Sequence, residues 1–76
     1  MTEVELAKEL KKVYEDGAKN KEKTTMIHLF GIKYGEVIRG QNYTPKQILK
    51  YAEMDESYHV EINKGIKLAK YVEIKE

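Results

Sequence analysis

Apolar residues recur along this chain at helical spacing, in stretches separated by polar or glycine-bearing breaks. From Thr2 to Asp16, Leu6, Leu10, Val13 and Tyr14 share one face, and Lys8, Lys11, Lys12 and Glu15 share the solvent face. Thr2 and Glu5 have the spacing of a capping box, and Met1 can close on Leu6 as a hydrophobic staple. Gly17 suits the position just past the helix end, followed by a lysine-bearing loop over 18–23. Thr24 or Thr25 then caps a second helix that runs to Arg39, with Ile27, Phe30, Tyr34, Val37 and Ile38 as a wide inward stripe. Gly31 and Gly35 lie inside that stripe, each costing a helix about 1 kcal/mol relative to alanine. A neighbouring helix crossing close by would offset that cost, and this explanation is preferred to a dimer contact. Gly40 is the expected stop.

The stretch from Tyr43 to Lys64 has the pattern of helix, tight turn and second helix. Thr44 is the cap, Pro45 sits where its missing N–H costs nothing, and Gln47 stands three residues past the cap. Tyr43 and Ile48 can form a staple, while Ile48, Leu49 and Ala52 point inward on a helix over 45–53. The period breaks between Glu53 and Asp55. Asp55 or Ser57 then caps a second helix that runs to about Lys64, with Tyr58, Ile62 and Val60 turned inward. Asn63-Lys64-Gly65 reads as its exit. Beyond it, Ile66, Leu68, Val72 and Ile74 alternate like a strand, whereas Ile62, Ile66, Ala69 and Tyr71 would continue the helix. A helix stop with an extended tail is preferred; a strand there would have to pair with a second copy.

Composition narrows the function classes. Seventy-six residues make one domain, residues 1–76, whose single core supplies only about 3–5 kcal/mol of net stability. With 41% hydrophobic and 36% charged residues the chain is globular. It has no cysteine, which excludes disulfides and thiolate chemistry. Its apolar runs are far shorter than the roughly 20 residues of a membrane span. No membrane association and a cytoplasmic location are the expectation. Fourteen basic and thirteen acidic side chains give a net charge of +1, whereas dedicated nucleic-acid binders carry a basic excess. Only the distribution departs from neutrality: Lys64, Lys67 and Lys70 follow one another with no acid between Ile62 and Val72.

Catalysis has little to work with, and an enzyme is not expected. Ser57 and His59 are two apart on a helix and point in different directions, so they make no nucleophile–base pair. His28 reads as a residue of the helix surface or of the edge of the core. No metal-ligand spacing and no phosphate-cradling glycine loop is present, so no cofactor is expected. Asp55-Glu56 suits the electrostatics of a helix N-terminus. A helix-turn-helix lays its second helix in the major groove. With Tyr58 and Ile62 inward, Ser57, His59, Asn63 and Lys64 stay outside, and all four residue types can contact bases or phosphates. Glu56 and Glu61 oppose that use; a salt bridge from Glu61 to Lys64 or to a neighbouring helix is the expected arrangement.

The stretch from Thr44 to Tyr71 resembles the helix-turn-helix of small microbial repressor-type DNA-binding domains. The resemblance rests on Ile48, Ala52, Met54 and Ile62 at the motif's buried spacings and on the Asn63-Lys64-Gly65 exit. Ser57-Tyr58, Glu61-Ile62, Lys64-Gly65, Leu68-Ala69 and Tyr71-Val72 are more similar still to a group of short, largely uncharacterised helix-turn-helix-like proteins. The resemblance implies an all-α domain and permits nucleic-acid binding. Three residues depart from it: Leu49 stands at a usually small position, Glu53 at a usual glycine, and His59 at a usually buried apolar one. The resulting expectation is a compact four-helix all-α domain with a short extended or helical C-terminal tail, acting by binding. Weak or accessory contact with double-stranded DNA is assigned to Ser57, His59, Asn63, Lys64, Lys67 and Lys70. The alternative is a protein-interaction module, or a homodimer formed through Leu68 to Ile74.

Overall fold

Four helices form where the apolar spacing predicts them in this computed structural model, which describes residues 1–75. They are α1 (Glu3–Lys19), α2 (Lys23–Gly40), α3 (Pro45–Tyr51) and α4 (His59–Leu68), with one turn of 3-10 helix at Glu56–Tyr58 leading into α4. The caps read from the sequence are in place for α1 and α3. The Thr2 hydroxyl accepts the Glu5 N–H at 3.1 Å while the Glu5 carboxylate accepts the Thr2 N–H at 2.8 Å. Thr44 accepts the Gln47 N–H at 3.3 Å, with Pro45 as the first helical residue. Of the two candidates before α4, Asp55 caps the 3-10 turn, accepting the Ser57 N–H at 2.8 Å, while α4 itself follows Tyr58 without a side-chain capping bond. At α2 the expectation fails. Thr24 and Thr25 lie inside the first turn, and Glu22 precedes the helix without a side-chain capping bond.

α2 is the central element, packed against α1 on one side and α4 on the other, while α3 packs chiefly on α1. Leu6, Leu10, Ile27, Ile38, Ile48, Leu49 and Ile62 are fully buried between them. The two helices of the helix-turn-helix are thus held more by α1 and α2 than by each other.

The α2–α4 contact explains the helical glycines. The two helices run side by side in the same direction, with His28 opposite Glu61, Gly31 opposite Ile62 and Gly65, and Gly35 opposite Ile66 and Ala69. A Cβ on Gly31 would stand 2.6 Å from the Ile62 carbonyl oxygen and 2.9 Å from the Gly65 Cα. The close crossing expected at Gly31 and Gly35 is therefore present. Gly65 is its other half and not a helix stop: α4 continues through it to Leu68. The chain then makes one more turn, with the Tyr71 and Val72 N–H groups donating to the Leu68 carbonyl, and residues 72–75 have no regular structure. Val60, expected inward, is exposed.

Of the helix stops assigned to glycine, α2 does end at Gly40, whereas Gly17 is buried inside α1, where α2 begins, and α1 continues to Lys19. The chain turns instead at Lys21, Asn42 and Glu53, with φ of 59°, 58° and 57°. Each turn closes alike: Glu22 N–H donates to Gly17, Tyr43 N–H to Ile38 and Met54 N–H to Leu49, at 2.7, 3.0 and 3.0 Å. These are the back-bonds of a Schellman end, in which a left-handed residue normally favours glycine. α3 accordingly ends at Tyr51, two residues before the expected Glu53. Because left-handed backbone costs a side-chain-bearing residue about 1–2 kcal/mol and glycine gives back part of that in unfolded-state entropy, Glu53→Gly should stabilise the domain by up to about 1 kcal/mol. A thermal melt should record a rise of roughly 4–8 °C per kcal/mol.

Candidate nucleic-acid interface

α4 has one buried side, formed by Ile62, Gly65 and Ile66. At about 100° per residue, Asn63, Lys64 and Lys67 fall on the opposite side, and all three are exposed. Those three predicted contact residues are brought together on one face. The other three lie around it. Ser57 is exposed but precedes α4, in the 3-10 turn. His59 is half-buried at the start of the helix, its Nδ1–H donating to the Glu56 carbonyl at 2.9 Å. Lys70 is exposed in the turn beyond Leu68.

Acids limit this surface at its leading end. Glu53, Asp55 and Glu56 are all exposed on the turn into α4, and Glu56 sits 3.7 Å from Lys46. Glu61 is the acid on α4 itself. Its Oε2 accepts from His28 Nε2 at 2.7 Å and its Oε1 from Lys64 Nζ at 3.2 Å, so both partners expected for it are present at once. The His28 bond first, and the Lys64 bond second, hold the Glu61 carboxyl below the usual glutamate range. His28 thereby sits at the rim of the α2–α4 crossing, as a core-edge residue.

Two other carboxyls are depressed in the same direction, each mainly by a backbone N–H: Glu5 by Thr2 and Asp55 by Ser57. A group lowered in the folded chain stabilises fully above its unfolded pKa, and that stabilisation disappears as pH falls through the folded value. The melting temperature should therefore hold through neutral pH and fall as pH drops below the ordinary carboxylate range. Glu61→Gln should make that acid limb shallower.

Sequence reasoning passed over Lys46 and Lys50. Both are exposed on α3, and with Thr44, Gln47, Met54 and Glu56 they line a shallow groove of about 490 Å³ beside the entry to α4. Their i, i+4 spacing on the first helix of the motif was the available signal, since that helix crosses the backbone in a docked complex. A second lysine-bearing face, with Lys8, Lys11, Lys12 and Lys19 around Glu15 and Asp16, lies on α1.

Among the described residues, no group of three or more His, Asp or Glu side chains converges to hold a metal. None of the described helices is long and apolar enough to cross a membrane. A family model described as an HTH-like domain matches residues 2–75 of the chain. No curated protein and no solved structure matches it.

Proposed function

The chain belongs to the HTH-like domain family, and from that premise we propose a non-catalytic domain that makes weak or accessory contact with double-stranded DNA through the exposed face of α4. One observation carries this. Asn63, Lys64 and Lys67 face solvent on α4, while the acid among them, Glu61, is turned to His28 and Lys64 and is only 22% exposed. Asn63 is the residue suited to a base edge, because an amide can pair with both hydrogen-bonding groups of adenine in the major groove. Lys64, Lys67 and Lys70 would meet phosphates. Ser57 and His59, at the leading end, would add contacts to backbone or base. Lys46 and Lys50 lie beside that face on α3.

Weakness follows from the charge. Three exposed acids guard the turn before α4, and the net charge is only +1, so little long-range attraction remains. Three phosphate contacts give duplex DNA an affinity that falls with a log–log salt slope near −2.7, or roughly 40-fold between about 50 and 200 mM salt. Fluorescence anisotropy with a random-sequence duplex measures this. Absent binding at low salt contradicts the proposal.

A further inference from the structure

Val60 is the second residue of α4 and is 46% exposed, and it belongs neither to the buried core nor to the half-buried residues packed against it. Counted at about 100° per residue from the buried side formed by Ile62, Gly65 and Ile66, it points squarely outward, between Lys64 and Lys67. Asn63 and Lys64 follow it by three and four residues, a spacing that sets side chains about 5–6 Å apart at Cβ. The fold gains little from valine at this position. A β-branched residue is a weaker helix former than lysine or alanine, and this one adds nothing to the core. Leu68, the other exposed apolar residue of α4, stands about two turns away at the far end.

On the DNA contact proposed above, we infer that Val60 meets the C5-methyl group of thymine and, with Asn63, gives α4 a preference for A·T pairs. The first turn of the second helix in such a motif reaches base edges in the major groove. There the thymine methyl is the one apolar group that a base pair presents. A valine in a helix is held near one rotamer, so its methyls make that contact with little ordering cost. Asn63 supplies the polar half, since an amide pairs with N6 and N7 of the adenine opposite that thymine. Successive bases rise by about 3.4 Å, so residues 60 and 63 address one base pair or two adjacent ones. Lys64 and Lys67 flank Val60 and meet phosphates whatever the sequence, so the preference is added to a sequence-independent contact. Glu61, next to Val60 in the chain, is turned to His28 on α2.

The test exchanges thymine for uracil. Two duplexes of alternating adenine and thymine, one with every thymidine replaced by deoxyuridine, carry the same phosphates and differ only in the methyl groups. Fluorescence anisotropy with the full chain at low salt should show the thymine duplex bound about fourfold more tightly for each methyl covered, with one salt slope for both. Val60→Ser, at an exposed site, should abolish that difference while the salt slope stays as it was. Equal affinity of the unaltered chain for the two duplexes, or a difference that survives Val60→Ser, overturns the inference and leaves the lysine contacts of α4 standing. Absence of binding to either duplex overturns the DNA contact itself, and the inference with it.

Discussion

Replacing Gly65 by alanine should cost the domain roughly 2 kcal/mol or more, a large share of the about 3–5 kcal/mol that a core of this size supplies. The new Cβ would be driven into the His28 carbonyl and would stand 2.9 Å from the Gly31 Cα. Both obstacles are backbone, so no side-chain rotation relieves them. α2 and α4 would have to move apart along the most extensive packing in the molecule, opening Ile62 and Ile66 and straining the His28–Glu61 bond. Helix propensity works in the opposite direction, because alanine is favoured over glycine by about 1 kcal/mol, but it is smaller than the steric term. Gly40→Ala supplies the contrast. Nothing lies within 4 Å of a Cβ there, so the propensity term acts alone and the variant should melt somewhat higher than the parent. Opposite signs for one chemical change in one protein would tie the loss at Gly65 to the crossing. Chemical denaturation of both variants measures it.

The second large effect is expected on DNA. Replacing Lys64, Lys67 and Lys70 together by alanine should reduce affinity for random duplex at least tenfold at about 50 mM salt, and should flatten the salt slope by about one unit per lysine. All three side chains are exposed, so stability should change by no more than about 0.5 kcal/mol at each site. Lys64 also donates to Glu61, but His28 still holds that carboxylate when the lysine is gone. Asn63→Ala is expected to behave differently, leaving the salt slope intact while narrowing the difference between sequences, because an amide releases no counterion. A loss at the lysines without a change of slope would mean that they act through the fold and not through phosphate.

Which features were legible in the sequence follows from how local their causes are. The Thr2 and Thr44 caps depend on residues within three positions and appear as read. The crossing at Gly31 and Gly35 was readable because two glycines inside an apolar stripe need a compensating neighbour. What could not be read was the purpose of each remaining glycine. Gly17 and Gly65 resemble helix stops by composition, yet both allow another segment to approach, and only the fold identifies that segment. Conversely, Lys21 gives no sign of a left-handed turn, and Glu53 signals one only through the glycine usual at its place in the motif. They accept it because backbone bonds on either side close the turn. The candidate surface divides in the same way. The α4 face followed from helical period, whereas Lys46 and Lys50 become its neighbours only once α3 is folded against the entry to α4. The Glu61 bridge to Lys64 is a local spacing; its stronger partner, His28, lies 33 residues away.

The most direct test is an NMR titration of the labelled chain with random-sequence duplex at low salt, following backbone amides. The predicted outcome is a set of shifts centred on Asn63, Lys64 and Lys67, extending to His59 and Lys70 and reversed by moderate salt. Shifts confined to the lysine face of α1, or none at all, would contradict the assignment of α4 as the surface that meets DNA.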